Sequence, residues 1–190
     1  MLRNFIAIAV IFFISACSMP ETKIYNLDIP VEQGSTRSAA DDSLVIRIDS
    51  PRYLAQPYIA YRNSPYQMEI SRYSKWDSSP KLMVSEGVRD SLFSTGLFKE
   101  VKILNIVPKG FYLLDINLRS FERLDEGNKS FGELVMDVVF ITPESKELYR
   151  ARISKKVELD DQSFLSLAKG LSGALNEAIE EVEDNITKVL

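Results

Sequence analysis

The 190-residue sequence predicts an α+β fold: a mostly antiparallel β-sheet with two α-helices packed on one face. Three observations carry that prediction. Between residues 44 and 157 most of the chain falls into runs with period-two alternation, bounded by Pro, Gly and Asn turn signals. Only two segments, 80–95 and 161–189, change to the period of an amphipathic helix. The strands are grouped in runs with few helices between them, which argues for an α+β arrangement.

Residues 23–29, KIYNLDI, place Tyr25, Leu27 and Ile29 on one face of an extended segment. Residues 30–43, PVEQGSTRSAADDS, nearly lack large apolar groups and read as a mobile loop. Residues 44–50, LVIRIDS, are rich in β-branched residues and predict a strand. Pro51 and Pro57 punctuate the chain before a hairpin made of YIAYR (58–62), the turn NSP (63–65) and YQMEISRY (66–73). Tyr66, Met68 and Ile70 line one face of the returning strand. From Pro80 to Thr95 the apolar groups Met83, Val84, Val88, Leu92 and Phe93 follow helical spacing. Ser79 is placed to cap this helix, Pro80 suits its first position and Gly96 suits its stop. Gly87, inside it, marks close packing.

Four strands are expected next, over 98–107, 111–124, 130–142 and 146–157, separated by PKG, the polar tip DEGNK and PES. Leu114, Ile116 and Leu118 alternate with Asp115, Asn117 and Arg119, so one face is buried and one meets water. The last helix, about 161–189, aligns Phe164, Ala168, Leu171, Leu175, Ala178, Val182, Ile186 and Val189, with Glu177, Glu180, Glu181, Glu183 and Asp184 opposite. Asp160 or Asp161 is placed to cap it, and packing on the sheet is preferred over a coiled coil.

Composition bounds the function. Hydrophobic residues are 45% and charged residues 26%, the balance of an ordinary globular domain. The formal net charge of −4 does not favour nucleic acid, which requires clustered Lys and Arg. There is no histidine, which removes the commonest metal ligand and general base. A single cysteine excludes an internal disulfide. Nucleophile-elbow, phosphate-loop and dinucleotide glycine patterns are absent; GLSGA, 170–174, lies within the second helix. Glu122 and Asp125, near a hairpin tip, read as a solvated face rather than a catalytic acid pair.

The cysteine follows a targeting pattern. Arg3 precedes ten apolar residues, FIAIAVIFFI (5–14), the length of a signal-peptide core and short for a bilayer span. ISAC (14–17) then resembles the bacterial lipobox, preferred here over an ordinary signal peptide with a chance cysteine. Residues 1–16 are the expected signal peptide and 17–190 a single periplasmic domain. Cys17 would carry a diacylglycerol on its thiol and an acyl group on its new amine; no other cofactor is expected. Several acyl chains make a stable anchor, since each buried CH₂ contributes ~0.8 kcal/mol. Ser18, rather than Asp, follows the cysteine, which by analogy points to the periplasmic face of the outer membrane.

Residues 50–80 concentrate five of the eight tyrosines and the only tryptophan, Trp76. Such residues serve surfaces with one apolar and one wet side, and they also fill the edges of β-hairpins; both readings stand. This stretch resembles the ABC-type transport auxiliary lipoprotein family. The matching parts are Pro51, Tyr53–Leu54, the Pro57-Ile59-Tyr61-Arg62 strand, Trp76 and Thr95-Gly96-Leu97-Phe98, with IYNLD (24–28) as the opening strand. Lys75 stands where the family usually has an arginine. The resemblance implies an α+β fold, no enzymatic activity and a docking role beside an MCE-domain protein of a lipid transport system. A homo-oligomeric ring is implied by at least one relative. Tyr58, Tyr61, Arg62, Tyr73 and Trp76 are the expected partner-binding residues. The alternatives are a periplasmic lipid carrier, which needs a large apolar cavity, and a hydrolase, which lacks a nucleophile motif.

Overall fold

A computed structural model describes residues 21–30 and 41–190. One eight-stranded sheet is backed by two helices. In chain order the strands are β1 (Lys23–Tyr25), β2 (Ser43–Asp49), β3 (Tyr58–Ser64), β4 (Gln67–Trp76), β5 (Glu100–Ile103), β6 (Tyr112–Glu126), β7 (Lys129–Ile141) and β8 (Glu147–Glu158). Helix α1 spans Pro80–Ser94 and α2 spans Phe164–Val189, and a 3₁₀ turn covers Arg52–Ala55. The expected α+β class, with a mostly antiparallel sheet, is what the chain forms.

The longest strand, β6, organises the sheet. Its 15 residues extend about 50 Å at ~3.3 Å each. Along one edge it pairs with β7 in an antiparallel hairpin, and β7 pairs with β8 in the same way. The other edge is shared end to end. The first half of β6 takes β2 in parallel, Leu44 opposite Tyr112 to Asp49 opposite Asn117. The second half takes β3, also in parallel, with Tyr61 opposite Arg123 and Arg62 opposite Leu124. The sheet therefore forks: β5 extends the β2 branch, and β4 and β1 extend the β3 branch. The alternation pattern foretold the hairpins, but these short parallel pairings join segments about 60 residues apart.

Alternation fills one face. Leu114, Ile116 and Leu118 of β6 meet Leu134, Met136, Val138 and Phe140 of β7 in a core capped by both helices. Helix α1 contributes Met83, Val84, Val88 and Leu92, whereas Phe93 is exposed. The Ser79 hydroxyl caps α1 by accepting the Leu82 N–H at 3.3 Å, and Gly96 ends it at φ +68°. Helix α2 buries Leu171, Leu175, Ala178, Val182 and Ile186 on the sheet, so its apolar stripe is a packing face. Ser163 caps it, accepting the Ser166 N–H at 3.1 Å; Asp161 instead accepts the Ser163 N–H, one step outside the helix.

Three expected strand boundaries move. β1 stops at Tyr25 because its partner β4 ends at Trp76, yet Leu27 and Ile29 still pack on the core. A Cβ on Gly87 would lie 2.9 Å from the Ile29 side chain, the close approach its glycine anticipated. The strand expected over 98–107 shrinks to Glu100–Ile103, which pairs in parallel with Ser43–Ile46 of β2. Tyr66 lies outside β4, in the turn, and is 96% exposed, while Met68 is half-buried and Ile70 exposed; that face is not core. Most of the loop expected over 30–43 lies outside the described residues.

Candidate functional site

The predicted binding residues gather around the β3–β4 hairpin and the second half of β6. Successive residues of a strand point to opposite faces, so the site has two sides. On the helix side, Tyr61 stands opposite Arg123. The Arg123 guanidinium lies 4.9 Å from the Tyr61 ring and 5.2 Å from the Phe164 ring. It donates to the Asp125 carboxylate at 2.9 Å and to the Gln162 carbonyl, just before α2. The Ser130 hydroxyl donates to the other Asp125 oxygen. Phe164 meets Tyr25 edge-on with ring centroids 6.3 Å apart. One arginine thus ties β3, β6 and the start of α2, and cation–π contacts of a desolvated arginine contribute up to ~2 kcal/mol.

On the opposite side, Arg62 Nε donates to Glu122 Oε1 at 2.5 Å and the Tyr53 hydroxyl donates to Oε2 at 3.2 Å. Glu122 is only 3% exposed. The solvated reading of Glu122 is therefore corrected: residues from the β2–β3 connection and β3 fold over it, an outcome of pairing across 60 residues that local polarity does not encode. Burial, then the neighbouring carboxylate, pushes the Tyr53 hydroxyl far above its ordinary pKa. The hydrogen bond to Glu122 holds the Arg62 pKa above its usual value. Both donors stay protonated at physiological pH and both Glu122 oxygens are engaged, so this carboxylate is a structural partner and not a free base.

The five predicted contact residues divide between these sides. Tyr58 faces Lys75 across the β3–β4 pairing and Tyr73 lies two residues before Lys75, so both stand on the face away from the helices, 36% and 47% exposed. Ile70, also exposed, lies opposite Ala60 on that face. Tyr61 is half-buried and donates its hydroxyl to Glu69 at 2.8 Å. Arg62 is committed to Glu122. Trp76 is corrected to a core residue: it is 2% exposed, meets Phe121 edge-on at 5.7 Å and offers no surface to a partner. Cys17 lies outside the described residues. Arg123 carries no sequence signal of its own, and the roles of Tyr53, Glu122 and Phe164 here depend on partners distant along the chain, which a motif, a hairpin tip or a helix stripe does not encode.

Among the described residues no group of three or more Cys, Asp or Glu side chains is placed to hold a metal ion. No described helix is long and apolar enough to cross a membrane. An open groove of about 460 Å³ runs between the β3–β4 and β6–β7 tips, lined by Arg62, Asn63, Leu124 and Glu126 among others.

The fold defines the class, an α+β domain shared with two solved structures. Protein XCC0632 from Xanthomonas campestris superposes with a TM-score of 0.72 at 16% identity, over 84% of this chain and 92% of that one. A crystal structure described only as an uncharacterized protein gives a TM-score of 0.69 at 12% identity, over 88% of this chain and 99% of that one. At these identities the likeness is one of fold. The family model of the ABC-type transport auxiliary lipoprotein component matches residues 25–183, and the chain belongs to that family. It is thus a lipoprotein associated with a transport system, in a family that is not one of enzymes. None of the curated proteins compared matches it.

Proposed function

We propose that the protein is anchored through lipidated Cys17 to the periplasmic face of the outer membrane. There it docks the MCE-domain component of a lipid transport system, without catalysis and with no cofactor beyond its own acyl chains. The observation that carries this reading is the family match over 25–183, joined to the lipobox-like ISAC. The packing favours docking over carriage of lipid. Leu114, Leu118, Met136, Leu175 and Val182 are fully buried and fill the space between sheet and helices, where a carrier would need a cavity of several hundred Å³. Exposed Tyr58, Ile70 and Tyr73 on the outer face of β3–β4 supply aromatic and aliphatic groups of the kind enriched in interfaces.

The test is to isolate the tagged lipoprotein from gently solubilised membranes and identify what accompanies it. Enrichment of an MCE-domain protein over a Cys17→Ala control, reduced by Tyr58→Ala with Tyr73→Ala, is expected. Recovery of phospholipid alone, or of nothing, would reject docking.

A further inference from the structure

A lipid anchor fixes one point of the domain at a membrane, and the strand that follows it sets which end of the domain faces that membrane. β1 pairs with β4 in parallel, Lys23 opposite Ser74 and Tyr25 opposite Trp76. The chain leading into Lys23 therefore comes from the side of the lower-numbered residues of β4, where the β3–β4 hairpin turns at Pro65–Tyr66. Six Cα–Cα steps separate Cys17 from Lys23 and span at most ~20 Å. From Ser74 to Tyr66 is eight residues, ~26 Å of extended strand before the irregularities of β4 shorten it. Even fully extended, the tether therefore reaches no further than the hairpin tip, and any slack draws the bilayer closer to the body of the domain.

Tyr66 sits at the tip of that hairpin. It is 96% exposed, the most exposed large side chain of its type among the described residues. It occupies a two-residue turn, where glycine, asparagine and aspartate are the residues the backbone favours, and nothing in the turn calls for an aromatic ring. A tyrosine left 96% exposed suits an environment with one apolar and one wet side, which is the headgroup level of a bilayer. The β7–β8 turn, around Glu144, lies at the far end of the 15-residue β6.

We infer that the β3–β4 hairpin tip is the membrane-contacting end of the domain, with Tyr66 entering the headgroup region of a phospholipid bilayer. The inference rests on the lipidated Cys17 of the proposed function. It gives the domain a fixed polarity: the hairpin tips face the lipid, and the β7–β8 turn and the C-terminal end of α2 face away from it.

The full lipidated protein supplies its own test. Once Cys17 is a thioether, Tyr66→Cys carries the single free thiol of the mature chain, and Glu144→Cys places one at the opposite end. Both positions are exposed, so neither substitution touches the core. Each variant is labelled with an environment-sensitive fluorophore and reconstituted into vesicles of phosphatidylethanolamine and phosphatidylglycerol, with and without headgroup-quencher lipids. The label at 66 is expected to shift to the blue and lose emission to the quencher lipid, and the label at 144 to do neither. Flotation with the vesicles but no quenching at 66, or equal quenching at both positions, overturns the orientation and leaves the anchor standing. Failure to float, with a second free thiol at Cys17, overturns the anchor and the orientation together.

Discussion

Arg62, expected at a partner surface, also has a structural task that can be measured. Its guanidinium holds Glu122, a carboxylate 3% exposed with only the Tyr53 hydroxyl as its other partner. Removing one member of a buried pair costs ~3–5 kcal/mol, because the remaining charge is stranded. The Arg62 side chain is itself 29% exposed, so water enters the space it leaves, and Tyr53 still donates. Arg62→Ala is accordingly expected to destabilise the fold by about 2–3 kcal/mol. Urea unfolding of the domain without its acyl chains measures this as a lower midpoint with an unchanged slope. The slope of a small domain is ~1–3 kcal/mol per molar urea, so the midpoint falls by roughly 1 M or more. The double variant Arg62→Met with Glu122→Leu removes both charges and is expected to recover most of the loss. A change below about 0.5 kcal/mol for Arg62→Ala, the range of an ordinary surface substitution, would refute the buried-pair reasoning. Lost partner binding at unchanged stability would restore Arg62 to the surface role.

Trp76→Ala is expected to cost ~3–5 kcal/mol and to lower the yield of folded protein, since a fully packed ring is deleted; normal stability with lost docking would return Trp76 to the interface. Gly173 lies on the exposed side of α2, and a Cβ there would meet nothing within 4 Å. Gly173→Ala should therefore stabilise the domain by ~0.8–1 kcal/mol through helix propensity, seen as a raised melting temperature. Gly170→Ala should gain less or lose stability, because its Cβ would come 2.6 Å from a terminal methyl of Leu159. On the outer sheet face, hydrogen bonds from Arg152 and Arg119 lower the Asp137 pKa to about 2. A carboxylate depressed in the folded state contributes stability that is complete above its unfolded pKa of 3.8 and is lost as pH falls toward 2. After solvent screening the contribution is ~1 kcal/mol, so Asp137→Asn should flatten the acid limb of a stability-versus-pH curve by that amount; an unchanged limb would show that the network adds nothing.

Much of this protein is decided locally, and those parts are legible in the chain. The 3.6-residue spacing of Val84, Val88 and Leu92 and of Leu171, Leu175, Ala178 and Val182 sets two helices with one buried stripe each. Ser79, Pro80 and Gly96 set the limits of α1 through caps that span a few residues. The alternation of Leu114, Ile116 and Leu118 with polar neighbours sets which face of β6 is core. The lipobox-like ISAC is also a local pattern. Tertiary structure alone decided the rest. That β2 and β3 divide one edge of β6, that β5 is cut to four residues, that Glu122 is buried and that Trp76 turns inward each depend on which distant strand lies alongside. Periodicity fixes the face on which a side chain stands, while its exposure is fixed by what packs over that face. Arg62 and Glu122 are 60 residues apart in sequence, and their ion pair exists only because β3 lies against the second half of β6.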